Sequence, residues 1–520
     1  DMLKFIKRAV RKTLKTDIFT LDAVAGEILG DKKIPVDMNE FAAAWDAGHD
    51  SLNDYCKYNL HDAHLTYRLF ENLWPNMVEL VKVVGLPIYD VIRMSFSQLV
   101  EWYIMKKAKE LNEIAPNRPS HNEQTARLMR RIKGAFVFEP TPGLYNSLVV
   151  CDYRSLYPTI IASHNISPGT INCSCCEGTN KVPFDDKGFE NKNLWFCQKR
   201  KGIISSVIEE LITRRARIKD MLKKGFDPLL YARSWALKDM ANSMYGYLAF
   251  SAARWYAFDC AEATTAYARY YIKKVISSAE TSGFKVLYGD TDSVFLLLQN
   301  RSADDAMKFV EKINFDLPGL MELEFQGFYP SGLFVATKGT EAGAKKKYAL
   351  IDEKDNIKIV GFETVRRNWS FIAKEVQKNV LKIVLKENNP GKAADYVRGV
   401  IKDLREHLVP VDKTIIHTVL SKDLDEYESI GPHVAAAQKM KSQGTDVGPG
   451  SRIKFIITAG KGLIRDKVKL PDEATNEDYD SEYYIEHQII PGVERIFSAL
   501  GFSVDDMVAK GSQSKLGSFY

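Results

Sequence analysis

The stretch that decides the fold is Tyr288-Gly289-Asp290-Thr291-Asp292-Ser293, which lies between two apolar, alternating runs at 284–287 and 294–298. Such a pattern predicts a β-hairpin whose turn carries two carboxylates one residue apart. Carboxylates at this spacing repel each other unless a cation or water covers both. Asp is also common in ordinary turns, but a turn that projects two acids from a buried sheet is a candidate Mg²⁺ site.

Two further segments accompany this turn. An apolar run at 148–151 ends in a single acid, Asp152, and the tight segment Ser-Leu-Tyr-Pro follows at 155–158. Between the two acidic sites, residues 238–247 read Lys-Asp-Met-Ala-Asn-Ser-Met-Tyr-Gly-Tyr with helical periodicity. We expect Asp152 and Asp292 to end two neighbouring strands, although an acid in the position of Asp152 can also be a simple strand-end cap.

These three segments, in this order and approximate spacing, resemble motifs A, B and C of the family B DNA polymerases. Over nearly the whole chain the sequence looks closest to the archaeal replicative members. The resemblance implies an α/β (α+β) right-hand polymerase fold, with a palm built on a mixed sheet, helical fingers and a helical thumb. It also implies the C-terminal part of an RNase H-like 3′–5′ exonuclease domain. The implied activity is DNA-directed DNA polymerisation, which extends a primer 3′-hydroxyl with dNTPs on a DNA template.

The resemblance divides the chain into consecutive segments. They are the C-terminal part of the exonuclease domain (1–73), a helical connector (74–117), the palm with motif A (118–204), the fingers with motif B (205–251), the palm with motif C (252–365), the thumb (366–505) and a tail (506–520). The N-terminal domain and the first two exonuclease motifs are expected to lie outside this chain, either trimmed or supplied by a separate polypeptide.

Nucleotide transfer by two cations needs a small, rigid, anionic cradle. By resemblance, Asp152 and Asp292 are the carboxylates that bridge two Mg²⁺ ions, for which Mn²⁺ can substitute. The backbone carbonyl of Tyr153 is a further metal ligand, and Asp290 is the accessory acid nearer the rim. Asp152, Asp290 and Asp292 are therefore the predicted catalytic residues.

Positive charge is predicted to face the metals from two helices. Arg215 and Lys219 are four residues apart on the first helix, and Lys238 and Asn242 are four apart on the second, so each pair shares a helix face. Exposed helix faces often carry such charges without a ligand. By resemblance, however, the three cations grip the β- and γ-phosphates of the incoming nucleotide, and Asn242 adds a hydrogen bond.

The resemblance assigns the sugar and the base of the nucleotide to other residues. Leu156 and Tyr157 belong to the nucleotide site, where Tyr157 lies beneath the sugar ring and leaves no room for a 2′-hydroxyl. Tyr245 and Gly246 lie against the nascent base pair. The implied substrate is therefore a deoxynucleotide.

Two motifs follow motif C. Lys346 and Tyr348 match the Lys-x-Tyr contact to the primer minor groove, where base pairs of different sequence present similar acceptors. Residues 361–367 match the motif that leads into the thumb. Val360 and Asn368 depart from the Lys and Asp that usually flank this motif, which weakens the transfer of individual contacts there.

An exonuclease motif is indicated near the start of the chain. Residues 58–62 read Tyr-Asn-Leu-His-Asp, a spacing that places Tyr58 and Asp62 on one helix face. Such a pair also arises by chance, but it resembles the third exonuclease motif, in which the Asp binds a metal and the Tyr orients the attacking water. No Asp-x-Glu strand precedes it in this sequence, so the exonuclease is expected to be incomplete.

The last eight residues resemble the interaction box of proteins that bind a sliding clamp (PCNA). In that interpretation Leu516, Phe519 and Tyr520 enter an apolar pocket, and Gln513 forms a hydrogen bond at its edge. The alternative is a disordered tail. Tethering to a clamp would raise the local concentration at the primer end without a new catalytic contact.

Seven cysteines occur in the chain, and four of them, Cys173, Cys175, Cys176 and Cys197, lie close in sequence. Three interpretations compete for these four: a disulfide, such as the family often has in this region; a structural Zn²⁺ site of four thiolates; and free thiols in a loop.

Composition adds few constraints. The chain is 45% hydrophobic and 27% charged, and its net charge of +5 arises from 72 basic and 67 acidic residues. Nucleic-acid binding would depend on local basic clusters rather than on this total. No apolar run is long enough to span a bilayer. The resemblance implies a cytoplasmic, nucleoid-associated protein of an archaeal-type cell.

Two other functions are compatible with parts of the pattern. A catalytically silent polymerase homologue that binds DNA and a clamp would be marked by the loss of Asp152 or Asp292, and both are present. A reverse transcriptase or RNA polymerase palm is opposed by Asn-Ser-x-Tyr-Gly at 242–246 and by Tyr157.

Overall fold

The computed structural model describes residues 1–11, 13–14, 19–36, 40–48, 52–184, 193–366, 368–445 and 447–503. The chain forms two compact units, each built from segments that are distant in sequence. The first comprises Asp1–Ala135, Tyr153–Lys273 and Ile313–Leu323, and the second comprises Phe136–Asp152, Lys274–Lys312 and the chain from Glu324 onward. The predicted α/β (α+β) class is confirmed.

The first unit is helical. Its helices are α1 (Met2–Phe5), α2 (Leu21–Ile28), α3 (Phe41–Ala47), α4 (Leu52–Val84), α5 (Ile88–Val91), α6 (Phe96–Glu110), α7 (His121–Leu128), α8 (Leu156–Ser163), α9 (Ile203–Lys224), α10 (Pro228–Leu248) and most of α11 (Phe258–Thr281). The two helices predicted to carry Arg215 and Lys219, and Lys238 and Asn242, are α9 and α10, which pack against each other. Asp227 caps α10 by accepting hydrogen bonds from the backbone N–H groups of Leu229 and Leu230, and Pro228 begins the helix with the fixed φ that suits its first position.

A buried ion pair holds α4 to α10. The Glu79 carboxylate has no exposed surface and lies 2.6 Å from Nε of Arg233 and 2.8 Å from Nζ of Lys82. Burial raises the pKa of Glu79, but the hydrogen bonds from Arg233 and Lys82 outweigh it and hold the pKa below its usual value. The predicted boundary between residues 73 and 74 falls inside α4, so the proposed exonuclease and connector segments share one helix.

A seven-stranded sheet begins the second unit. Its strands are β1 (Val137–Phe138), β2 (Gly143–Tyr153), β3 (Lys285–Asp290), β4 (Ser293–Leu297), β5 (Leu323–Ala336), β6 (Gly343–Ile351) and β7 (Ile357–Val360), in the order β1-β3-β4-β2-β5-β6-β7. The pairs with a described register are all antiparallel, where a mixed sheet was predicted. Short connections join three of these pairs, β3–β4, β5–β6 and β6–β7, and such connections are possible only between antiparallel strands.

Aromatic side chains fill one face of this sheet beneath the β3–β4 turn. The rings of Tyr288, Phe295, Phe334 and Tyr348 lie with every pair of centroids between 5.1 and 6.0 Å apart. Each such pair contributes roughly 0.5–1.5 kcal/mol beyond its buried area. The predicted hairpin is confirmed, and its base rests on a rigid aromatic layer.

The remainder of the second unit is helix-rich, as predicted, and it also contains a small sheet. Its helices are α12 (Ala303–Phe315), α13 (Phe371–Glu387), α14 (Pro390–Arg405), α15 (Val411–Thr414), α16 (Pro432–Ser442), α17 (Ser481–Tyr484) and α18 (Ile490–Ala499). Strands β8 (Ile416–Val419), β9 (Arg452–Ile457) and β10 (Val468–Lys469) pair in the order β10-β9-β8. Within the described ranges, no helix combines the length and apolar character that a bilayer crossing requires.

Buried polar groups tie α13 and α18 to the motif at 361–367. Lys347 lies 2.6 Å from Glu363, and both side chains are almost fully buried. Gln377 of α13 donates hydrogen bonds to Glu363 (2.8 Å) and to the carbonyl of Gly492 in α18 (2.5 Å). The acid of this motif therefore has a structural role in the fold.

We expect Arg233→Gln to lower the free energy of unfolding by about 3 kcal/mol, because Glu79 would keep its buried charge with Lys82 as its remaining cationic partner. Urea unfolding measures the change. Arg398→Gln is the control, since Arg398 pairs with Asp395 on an exposed helix face and should change stability by less than about 1 kcal/mol. Equal losses in the two variants would contradict this account of Glu79.

Candidate active site

Three acids lie together at one end of the seven-stranded sheet, where β2 ends and β3 turns into β4. Asp152 of β2 lies opposite Ser293 of β4, and Asp290 of β3 lies opposite the same serine on the other side. Asp292 immediately precedes Ser293 in the turn. Acids 140 positions apart in sequence therefore gather around the first residue of β4.

The turn that carries Asp292 is strained. Thr291 has a φ of 61°, in the left-handed region that non-glycine residues rarely adopt. The conformation is held by a hydrogen bond from the Asp292 N–H to the Asp290 carbonyl (2.6 Å) and by one from the Thr291 N–H to the Phe136 carbonyl (3.2 Å). Such outliers concentrate at functional sites, because the surrounding structure must enforce them.

The electrostatics of the site disfavour two ionised carboxylates. Burial, with an added contribution from the Asp292 charge, raises the pKa of Asp152 to about 7. Burial also raises the pKa of Asp292, with a further contribution from Asp290. Gln326 donates a hydrogen bond from Nε2 to Oδ2 of Asp152 at 2.9 Å and counters part of the effect.

Asp290 differs from the other two acids because a cation already neutralises it. Nζ of Lys346 lies 2.7 and 2.8 Å from its two oxygens, and the Tyr288 hydroxyl donates to Oδ2 at 3.1 Å. Lys346 itself has a φ of 58°. Gly361 makes room for this backbone, since a Cβ there would lie 1.9 Å from the Lys346 carbonyl oxygen. In the described part of the chain, Asp290 forms a salt bridge with Lys346, whereas Asp152 and Asp292 form none.

The donor set fits Mg²⁺. Carboxylate oxygens are the hard ligands that this ion prefers. A divalent cation would offset the burial and the carboxylate charges that raise the two pKa values. Asp152 and Asp292, which form no salt bridge within the described ranges, are the pair that such an ion would bind. Tyr153, whose carbonyl is a predicted ligand, has a buried ring, and its hydroxyl donates to the Tyr271 carbonyl at 3.4 Å.

A cationic pocket of about 370 Å³ lies in the first unit. Arg215 and Lys219 of α9 line it together with Arg154 and Ser155. The complete lining is Arg154, Ser155, Thr159, Ile212, Thr213, Arg215, Ala216, Lys219, Gly319, Leu320, Met321 and Glu322. Lys238 and Asn242 do not line it. They lie one turn apart on the exposed side of α10.

The predicted sugar and base contacts come together in the same unit. The rings of Tyr157 and Tyr245 have centroids 4.5 Å apart, although 88 residues separate them in sequence. Leu156 is buried at the start of α8, directly after Ser155, whose φ of 50° is again left-handed. A Cβ on Gly246 would meet no atom within 4 Å, so the packing of the described residues does not require glycine there.

Lys33 contacts both residues of the predicted exonuclease motif. Its Nζ lies 2.6 Å from Oδ2 of Asp62 and 2.5 Å from the Tyr58 hydroxyl. The other oxygen, Oδ1 of Asp62, is buried without a hydrogen-bond partner among the described residues. Spacing within α4 predicted that Tyr58 and Asp62 share a face, but it carried no signal for Lys33, which precedes the helix.

The predicted primer contacts and the predicted clamp-binding residues differ in what the structure describes of them. Tyr348 is 8% exposed and belongs to the aromatic layer, while Lys346 lies against Asp290. Both remain predicted primer contacts. The predicted clamp-binding residues Gln513, Leu516, Phe519 and Tyr520 lie outside the described part of the chain.

Comparison with known proteins gives the family. The family model for DNA polymerase family B matches residues 86–500. The chain is 41% identical to DNA polymerase 1 of Pyrococcus abyssi, over 98% of this chain and 66% of that protein. It is 40% identical to the DNA polymerase of Thermococcus gorgonarius, over 96% of this chain and 64% of that protein. The solved structure of the family B DNA polymerase from the hyperthermophilic archaeon Pyrobaculum calidifontis matches with a TM-score of 0.65 and 32% identity, over 95% of this chain and 62% of that one.

The chain therefore belongs to DNA polymerase family B, and the resemblance inferred from motifs A, B and C is confirmed. It spans slightly less than two thirds of the length of the relatives it matches.

We expect Asp292→Asn to raise the free energy of unfolding of the metal-free protein by on the order of 1 kcal/mol at a pH above the raised pKa of Asp152. Both carboxylates are ionised there, and the neutral amide removes their repulsion. Thermal unfolding in chelator measures the shift. Asp316→Asn is the control, because Asp316 is exposed and distant in sequence from this site. A metal-free Asp292→Asn protein less stable than its parent would contradict the proposed repulsion.

Proposed function

We propose that this chain is a DNA-directed DNA polymerase of the replicative type, which extends a primer 3′-hydroxyl with dNTPs on a DNA template. The observation that carries the proposal is the pair Asp152 and Asp292, held at adjoining strand ends with raised pKa values in a chain of this family. A fold alone is shared by proteins of many activities, so the site supports the function.

Asp152 and Asp292 would hold two Mg²⁺ ions. When bound, such ions activate the attacking hydroxyl and stabilise the charge on the leaving oxygens. Gln326 fixes the orientation of Asp152 through its hydrogen bond. Lys346 keeps Asp290 neutralised, so that the divalent charge is directed to the other two acids. The aromatic layer beneath the turn holds this arrangement rigid.

The incoming nucleotide would bind through its phosphates to the cations of α9 and α10. Arg215 and Lys219 line a pocket wide enough for phosphate groups, and Lys238 and Asn242 share an exposed face that is open to a ligand. Fixed positive charge suits a triphosphate, because it stabilises charge that develops on pyrophosphate as the bond breaks.

Tyr157 and Tyr245 would form the floor under the sugar and the nascent base pair. Their ring contact fixes Tyr157 in place, which supports its proposed role in excluding a 2′-hydroxyl. Gly246 follows on the same helix and leaves open space above its backbone. A base pair can approach the backbone there more closely than any side chain would allow.

Two further functions belong to the proposal. The motif of Gln513, Leu516, Phe519 and Tyr520 supports tethering to a sliding clamp. Tyr58 and Asp62 support a contribution to proofreading, completed by groups outside this chain. The ion pair of Lys33 with Asp62 would have to yield to a metal ion before Asp62 could serve as a ligand.

The central test is extension of a primed template with dNTPs and Mg²⁺. We expect the parent chain to extend the primer, and Asp292→Asn to lose activity by at least about 10³-fold, because one carboxylate cannot fix both ions. Asp316→Asn should retain activity. Binding of primer–template, measured by fluorescence anisotropy, should survive in Asp292→Asn. Extension by Asp292→Asn at the parental rate would refute the metal assignment, and DNA binding without extension by the parent would favour the silent homologue.

A second test separates stability from function at Gly246. Gly246→Ala should leave stability unchanged or raise it by up to about 1 kcal/mol, since Ala favours helix and meets no neighbour. Primer extension should nevertheless fall, because a methyl group would contact the nascent pair. Gly399→Ala is the matched control: Gly399 also lies within a helix and faces open space. Full activity in Gly246→Ala would remove this residue from the nucleotide site.

A further inference from the structure

Four cysteines of the first unit form a cluster outside the polymerase site. The sulfurs of Cys173, Cys175, Cys176 and Cys197 all lie within 4.8 Å of one another. Among the described residues, this is the group of three or more Cys, His, Asp or Glu side chains whose potential metal-binding atoms lie within that distance. None of the cysteines forms a disulfide. We propose that these four residues hold one structural Zn²⁺ ion as thiolates.

The spacing of the sulfurs matches a tetrahedral site. With Zn–S bonds of about 2.3 Å, the sulfurs of a tetrahedral Zn²⁺ site lie about 3.8 Å apart. Sγ of Cys175 lies 3.6 Å from Sγ of Cys197 and 3.7 Å from Sγ of Cys176. A disulfide would pair two sulfurs at about 2 Å and leave the others aside. Four mutually close sulfurs are instead the arrangement of a closed, structural metal site.

Backbone donors point at two of the four sulfurs and favour the charged form of these two. The N–H of Gln198 donates to Sγ of Cys176, and the N–H of Arg200 donates to Sγ of Cys197, each at 3.3 Å. Hydrogen bonds of this kind orient metal-binding thiolates and stabilise their negative charge.

The segment around the cysteines has a small apolar cluster of its own. A separate small cluster of buried side chains consists of Cys176, Trp195 and Cys197, with Cys173 packed against it. Two isolated β-bridges join the chain on either side of residues 173–176 to the chain around Cys197: one pairs Ile171 with Phe196, and the other pairs Lys181 with Trp195. So small an apolar cluster supplies little stability, and short segments of this kind are commonly stapled by a metal or a disulfide.

The cluster is connected to the first phosphate-binding helix. Asn165 donates to the carbonyls of Cys197 (2.6 Å) and Arg200 (2.8 Å), and its own oxygen accepts from the Gly202 N–H (2.9 Å) at the start of α9. A metal at the cysteines would therefore stiffen the entry to the helix that carries Arg215 and Lys219.

The test is metal analysis of the full chain, purified from medium that contains both zinc and iron. We expect one zinc per chain and the loss of most of it in Cys175→Ser and Cys197→Ser. Cys56→Ser is the control, because Cys56 is exposed on α4 and lies outside the cluster, and it should keep the full complement. Replacement of zinc by Co²⁺ should give the thiolate charge-transfer and intense visible bands of a tetrahedral sulfur site.

The parent protein keeps the proposal testable if the serine variants do not fold. X-ray absorption of its zinc should then show four sulfur neighbours at about 2.3 Å. Substoichiometric zinc in the parent, iron in its place, or a peptide crosslinked through Cys175 and Cys197 in mass spectrometry would overturn the assignment. None of these measurements depends on polymerase activity, so their outcome is independent of the proposed function.

Discussion

The burial of two carboxylates, Asp152 and Asp292, is the constraint around which this end of the sheet is organised. The strands β2 and β4 fix the backbone positions, the strained Thr291 aims the turn, and the aromatic layer beneath prevents relaxation. A structure that holds two partly buried acids close together gives up stability in the metal-free state. Under the proposed function, a divalent cation bound by both carboxylates would offset this loss of stability.

The neutralised acid Asp290 shows how closely the site distinguishes its members. Asp290 and Asp292 are separated by one residue, yet among the described residues Lys346 forms its salt bridge with Asp290. Lys346 reaches Asp290 from β6, and Gly361 provides the space that its backbone needs. The division of labour among the acids therefore depends on contacts between segments that are far apart in sequence.

Sequence reasoning succeeded where local pattern determines structure. Alternating apolar residues predicted β3 and β4, and helical periodicity over residues 238–247 predicted the second half of α10. It failed for contacts between distant segments, which are Gln326 with Asp152, Lys346 with Asp290 and Lys33 with Asp62. Neither periodicity nor a motif in the sequence indicates these pairs. The strands β8–β10 were also missed, because short runs such as 452–457 do not distinguish strand from helix by periodicity.

Helix α4 has a mechanical consequence. It carries Tyr58 and Asp62 in its first half and Glu79 near its end, about 26 Å further along the axis from Asp62 at 1.5 Å per residue. Glu79 grips Arg233 of α10, five residues before Lys238 on the same helix. If α10 moved when a nucleotide bound and the Glu79–Arg233 ion pair stayed intact, α4 would move with it. Under the proposed function, nucleotide binding at α10 would thus be transmitted through α4 to Tyr58 and Asp62.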